Sequence, residues 1–343
     1  MERIPDAATR IETIEMHTGG EPVRIVTAGY PTIEGKTLLE KRRFARERLD
    51  RFRRLIMFEP RGHYDMYGVL PVAPDHPEAD MAVLFIHNEG YSTMCGHATI
   101  ALGRYAVDQG IVKPAPESGG EFARLNLQCP CGLVRVRVAL EAGKPGAVGF
   151  VSVPAFAFAL NREIVVDGLG RLKADIGYGG AFYAVLPAAT FNLDVRRSPV
   201  RDLVDAADRV TKAAQKQVTL EHPDSPDLAF LYGTILTDGT SGARGPSANI
   251  CVFADREVDR SPTGSGVTAR IAINVARNPA AAAESFVFES ITRDRFEGRV
   301  AGQEACGRFA AVRVEVAGRA YYCGRSVFTV EPDDPLAAGF LLK

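Results

Sequence analysis

Two segments constrain the fold more than any others in the chain. "GHATIALGRYAV" (96–107) and "SGVTARIAINVA" (265–276) read as helices that are apolar on nearly every face. A helix apolar all round belongs inside a domain, enclosed by other structure. Each is entered through a glycine-containing turn, Cys95-Gly96-His97 in one and Thr263-Gly264-Ser265 in the other. The two turns stand 168 residues apart, close to half of the 343-residue chain. That placement implies two similar domains, each with a strand layer around one central helix. It also allows the two helix N-termini to meet at the interface.

The rest of the pattern supports strands as the enclosing layer. "LVRVRVAL" (133–140) and "AAVRVEVAG" (310–318) alternate apolar and polar residues, as half-buried strands do. "MAVLFIH" (81–87) is a continuous apolar run suited to a buried strand. Two more helices are expected on the outside. Over 37–56, Leu38, Ala45, Leu49, Phe52 and Ile56 share one face, and an Arg-rich run forms a solvated face. Over 198–217, Ser198 and Pro199 make an N-terminus, and Leu203, Ala207, Val210 and Ala214 form a buried stripe.

The helix mouths suggest the chemistry. The first turn of a helix has unpaired N–H groups and a partial positive charge, so it binds a carboxylate without a dedicated side chain. Two such ends facing each other would hold an amino-acid carboxylate on the backbone N–H groups of Gly96, His97, Gly264 and Ser265. "DRSPTGSG" (259–266) has the glycines of an anion cradle but no Lys, so it is a poor phosphate loop. Cys95 sits where the same field favours thiolate, a nucleophile or base; its alternative is an inert buried cysteine. Asp259 would accept from a substrate ammonium, or it is a helix-entry residue paired with Arg260. His97 would position substrate, or it is a satisfied core histidine.

Composition narrows the classes. A net charge of -1 argues against a partner held mainly by charge, whether nucleic acid or membrane surface. No apolar run approaches a membrane span, and the first 17 residues contain no signal-like apolar stretch. Six cysteines without a secretory signal read as reduced thiols in the cytoplasm, with "CPC" (129–131) as turn and strand-edge residues. No cofactor is expected: no glycine motif for a dinucleotide follows a strand, and no His/Cys/Asp/Glu cluster has metal spacing.

Five motifs, "MHTGGEPVRIV" (16–26), "EPRGHYDMYG" (59–68), "MCGHATIA" (94–101), "DIGYGGAFYA" (175–184) and "DRSPTGSGVTAR" (259–270), resemble the proline racemase family, in order over nearly the whole chain. The resemblance implies an α/β (α+β) fold like diaminopimelate epimerase. Two pseudo-symmetric domains would flank a cleft, without a cofactor. The expected division is 1–152 plus 325–343, carrying Cys95, and 153–324, carrying Asp259 and Thr263. "VGFVSVPAF" (148–156) would be the crossover and "GFLL" (339–342) the return.

Racemases and epimerases of this family use two cysteines, one on each face of Cα. Cys95 matches the first, but Thr263 stands where the second would be. An alcohol is far too weak an acid to exchange a proton as a thiol does. One-face deprotonation remains, and the Cys/Thr type implies dehydration of trans-3-hydroxy-L-proline to Δ1-pyrroline-2-carboxylate. By the same motifs Asp259 would bind the ring ammonium, and Tyr67 and Phe253 would wall the pocket. The expected partner is the small-molecule substrate; a homodimer is compatible with the chain. Two alternatives stay open: a proline or 4-hydroxyproline epimerase, and a non-catalytic amino-acid sensor.

Overall fold

The structure is a computed structural model describing residues 9–116, 119–331 and 333–342. Residues 1–8, on which the reading of a leaderless start partly rests, lie outside the described residues.

The first half runs β1 (Thr9–Thr18), β2 (Glu21–Ala28), α1 (Leu38–Arg48), α2 (Asp50–Met57), β3 (Tyr67–Val72), β4 (Met81–His87), β5 (Gly90–Ser92), α3 (Gly96–Asp108), β6 (Phe122–Cys129), β7 (Gly132–Glu141) and β8 (Lys144–Val151). The second runs β9 (Ala155–Val166), β10 (Gly170–Tyr178), β11 (Phe182–Pro187), α4 (Val200–Gln217), β12 (Leu231–Thr237), β13 (Ser247–Phe253), β14 (Glu257–Asp259), α5 (Gly264–Arg277), β15 (Ser285–Glu289), β16 (Arg295–Cys306) and β17 (Phe309–Gly318). A last strand, β18 (Ala320–Val330), follows.

The pairings repeat between the halves. β2–β3 and β11–β12 are parallel, β3–β4 and β12–β13 antiparallel, and β4–β6 and β13–β15 parallel. Each half then ends in an antiparallel meander, β6-β7-β8 or β15-β16-β17. In the second half β9 also pairs with β10 and with β17, which closes that strand layer on itself.

The sequence pattern accounts for this layer. All seven residues of β4 are buried, and in β7 Val134, Val136 and Val138 are buried while Arg135 and Arg137 are exposed. The inward valines meet α3. A Cβ on Gly103 would come within 2.6 Å of Val148 and 2.9 Å of Val136, so the helix lies tight against the strands. α5 is seated likewise, with Ile273 against Gly177 and Ile271 against Gly298. Burying α3 through Ala106, apart from the half-buried Arg104 and Tyr105, and α5 through Ile273 removes most of their apolar surface from water, worth ~25 cal/mol per Å².

Three expectations need correction. The return to the first half is made by β18, which pairs antiparallel with β1 from Thr9↔Val330 to Thr18↔Ala320. "GFLL" contributes only an isolated bridge, Phe340 to Glu59, and position 325 falls inside β18. The helix over 37–56 breaks at Leu49, although its apolar residues are buried as expected. Its arginine face is not all solvated. Arg53 is buried and donates to the carbonyls of His87 and Asn88, and Arg42 donates to that of Tyr91, because the β4–β5 turn leaves acceptors beneath the helices.

The two central helices touch at their first residues. A Cβ on Gly96 would lie 2.4 Å from the Gly264 Cα, and one on Gly264 would lie 2.6 Å from the Gly96 Cα. Neither position tolerates a side chain without separating the helix ends. Gly96→Ala and Gly264→Ala should each cost roughly 1–3 kcal/mol, as overpacking does. Chemical denaturation checks this, and unchanged midpoints would show that the ends do not abut.

Candidate active site

β5 runs through Ser92 into the turn that opens α3, and β14 ends at Asp259 and leads into the turn that opens α5. Both turns deliver their residues to one small cavity between the halves. Cys95, Gly96, His97, Asp259, Thr263, Gly264, Ser265, Tyr67 and Phe253 all line it. The structure thus brings together every residue singled out in the sequence. Gly96, His97, Gly264 and Ser265 occupy the first two positions of the two helices, where N–H groups lie outside the helical hydrogen-bond ladder.

The two N-caps are not equivalent. Cys95 has extended backbone, φ -145°, and its Sγ accepts from the Ala98 N–H at 3.3 Å. Thr263 has φ 67° and makes no side-chain cap. Its Oγ1 is buried without a hydrogen-bond partner; the Cys251 thiol is near enough to be influenced by it but not in hydrogen-bond geometry. A β-branched residue at positive φ is strained, a condition that persists at functional sites.

At Cys95 burial opposes the helix end, which favours thiolate. Burial pushes its pKa well above the ordinary value, outweighing the Ala98 N–H that lowers it. The Asp259 carboxylate raises it further, and the Tyr67 hydroxyl opposes this. Cys95 is therefore a thiol here. Both ring nitrogens of His97 lie close to its Sγ, at 3.3 and 3.4 Å. Burial lowers the His97 pKa and keeps the ring neutral, although Asp259 favours the cation.

Asp259 is buried, and its Oδ1 accepts from the Ser261 N–H at 2.8 Å. Its Oδ2 lies 3.9 Å from His97 Nδ1. The alternative of a pair with Arg260 is not what forms. Arg260 instead reaches across the halves, with its N–H on Glu21 at 2.7 Å and its guanidinium 3.5 Å from both Glu21 and Asp65.

Four lining residues went unnamed in the sequence reading: Met94, Tyr183, Tyr232 and Cys251. Tyr183 donates to or accepts from Ser265 Oγ at 2.7 Å, and its place in "DIGYGGAFYA" was the available signal. Tyr232 and Cys251 come from strands with no local mark of function. Outside the cavity, and among the described residues, His222, Asp224 and Cys306 place donor atoms within 4.8 Å of one another, a metal-like grouping that sequence spacing did not reveal. The Asp224 N–H, however, already donates to His222 Nδ1 at 3.2 Å. Cys129 ends β6 and Cys131 lies in the turn, as read.

Residues 13–341 match the model of the family described as proline racemase. A Saccoglossus kowalevskii protein named trans-L-3-hydroxyproline dehydratase is 55% identical over 331 residues, 96% of this chain and 100% of that one. A Burkholderia multivorans protein named 3-hydroxyproline 2-epimerase is 44% identical over 336 residues, 97% of this chain and 98% of that one. A crystal structure of a hydroxyproline epimerase from Agrobacterium vitis, with bound trans-4-hydroxy-L-proline, has a TM-score of 0.90. It covers 97% of this chain and 95% of that one at 23% identity, a likeness of fold. The fold is the diaminopimelate-epimerase-like one expected from the sequence.

The ionisation of Cys95 is open to direct test. Asp259→Asn removes a negative charge that holds the thiol up, so thiolate forms at lower pH. Alkylation of Cys95 at pH 8, followed by mass spectrometry of its peptide, should speed up about two- to tenfold. Equal or slower labelling would contradict the assigned cause.

Proposed function

The chain belongs to the proline racemase family, and on that premise we propose that it is a hydro-lyase converting trans-3-hydroxy-L-proline to Δ1-pyrroline-2-carboxylate and water. The observation that carries this reading is the placement of one sulfur and one alcohol, Cys95 and Thr263, at abutting helix ends around a single cavity.

The substrate carboxylate docks on the N–H groups of Gly96, His97, Gly264 and Ser265, and Asp259 holds the ring ammonium. That ammonium offsets the carboxylate charge that raises the Cys95 pKa. Neutral His97, 3.3 Å from Sγ, takes the thiol's own proton. Cys95 thiolate then removes the α-proton. The helix-end donors stabilise the enolate-like charge on the carboxylate as it develops, in the manner of an oxyanion hole. The 3-hydroxyl leaves as water, and the enamine tautomerises to the imine.

Stereochemistry assigns the faces. In the trans isomer the 3-hydroxyl lies opposite the carboxylate and so shares a ring face with the α-proton. Cys95 faces both. Thr263, on the other side, has no acid strong enough to return a proton to Cα, so dehydration proceeds without inversion.

One feature favours the epimerase alternative: a second thiol, Cys251, lines the same cavity. Burial first, and then Asp259, raise its pKa well above the ordinary range, which leaves it a weak donor. All six cysteines are free, which supports a reducing, cytoplasmic setting. Among the described residues no helix is long and apolar enough to cross a membrane.

Product analysis tests the reading. Wild-type protein should form Δ1-pyrroline-2-carboxylate from trans-3-hydroxy-L-proline, and Cys95→Ser should lose on the order of 10²–10⁴ in rate. Rapid α-deuteration of L-proline or trans-4-hydroxy-L-proline with inversion in D2O, without pyrroline product, would establish the epimerase instead. Ligand binding with no turnover would establish a sensor.

Thr263→Cys restores a thiol on the second face. Chiral analysis of proline substrates should then reveal epimerisation absent from the wild type. A folded variant with none would show that the alcohol is not what prevents inversion.

A further inference from the structure

Dehydration needs two proton movements, one from Cα and one to the departing oxygen. The first belongs to Cys95. For the second, the group must lie on the Cys95 side, because the 3-hydroxyl and α-proton share a face, and it must hold a proton while charge leaves.

Tyr67 meets these conditions in the structure. It lies on β3, lines the cavity beside Cys95 and is buried. Its hydroxyl is hydrogen-bonded to Ser92 Oγ, itself buried at the end of β5 three residues before Cys95. The ring is held by three aromatic neighbours. It stacks on His87 at 5.8 Å, and His97 and Phe253 meet it edge-on at 4.8 and 6.4 Å. His87 is anchored in turn, with Nδ1 2.9 Å from the buried Glu257 Oε1. The His97 that touches Tyr67 is the same ring that lies 3.3 Å from the Cys95 sulfur. A phenol is thereby held next to the thiol, with a hydroxyl partner in Ser92 able to donate or accept as its proton moves.

We propose that Tyr67 protonates the departing 3-hydroxyl and recovers its proton from Cys95. The inference rests on the dehydratase reading above. In the step, the Cα–H bond breaks and its proton passes to the Cys95 thiolate. The electron pair forms the Cα=Cβ bond, and the Cβ–O pair leaves with oxygen. That oxygen takes the Tyr67 proton and departs as water. The Tyr67 phenolate, stabilised by the Ser92 hydroxyl, then takes the proton from the Cys95 thiol, which restores phenol and thiolate together. The net change is substrate to enamine plus water, with no oxidant or reductant. Burial supports the assignment by raising the Tyr67 pKa, so the group is a phenol whenever substrate binds. His97, by contrast, is kept neutral and is the acceptor for the resting thiol's proton.

The experiment compares wild type and Tyr67→Phe with trans-3-hydroxy-L-proline in D2O, following pyrroline product and α-deuterium in recovered substrate. Tyr67→Phe should dehydrate at least about 10²-fold more slowly, the usual contribution of a general acid. It should still exchange the α-proton within about tenfold of the wild-type dehydration rate, and it should do so with retention. Such a split is not produced by a merely structural side chain. Dehydration within about threefold of wild type overturns the proposal. Equal loss of dehydration and exchange in a variant with an unchanged thermal melt also overturns it. Ser92→Ala, which keeps the phenol but frees its orientation, should show the same split to a smaller degree; equal loss of both activities there counts against the relay. If wild-type protein forms no pyrroline at all, the dehydratase reading itself falls, which separates that failure from failure of the relay alone.

Discussion

The contact of Gly96 with Gly264 sets the terms for everything else. Two helices buried along their N-terminal turns point those ends at each other, and only the absence of both side chains lets the backbones approach so closely. Like ends of two dipoles are brought together, so negative charge between them is favoured. The same contact puts the N-cap residues Cys95 and Thr263 around one cavity and leaves first-turn N–H groups free of helical partners. The shared placement of the two helix mouths therefore follows from one packing constraint, enforced by the strand layers around the helices.

Within that symmetric frame the two ends differ in detail, and the chemistry depends on the difference. The sulfur of Cys95 is tied to the Ala98 N–H and flanked by His97 and Tyr67. Thr263 occupies a left-handed backbone conformation and leaves its hydroxyl unpartnered. One end of the cavity carries a thiol beside an imidazole and a phenol; the other carries an alcohol, a far weaker acid than a thiol. A duplicated architecture thus carries two chemically different ends, on which the proposed one-sided reaction rests.

Much of this was legible in the chain. The central helices announced themselves by being apolar all round, and β7 and β17 by strict alternation. The paired glycine turns located the cavity before any coordinates. Other parts were written in long-range contacts. β18 is mostly exposed, so it lacks the apolar signal of a core strand, and only its pairing with β1 identifies it as the return. Arg53 looked solvated because its acceptors, the carbonyls of His87 and Asn88, come from another element. The forces that oppose ionisation of Cys95 were not legible, because the helix field is local whereas Asp259 arrives from the other half. Tyr232 and Cys251 reach the cavity from strands whose pattern reports burial, not chemistry.

The most direct measurement of this arrangement is a crystal structure with pyrrole-2-carboxylate, a planar five-membered ring bearing the same carboxylate. The account places that carboxylate on the amides of Gly96, His97, Gly264 and Ser265, with Cys95 Sγ against one ring face and Thr263 Oγ1 against the other. A ring bound outside the cavity, or with both side chains on the same face, would contradict it.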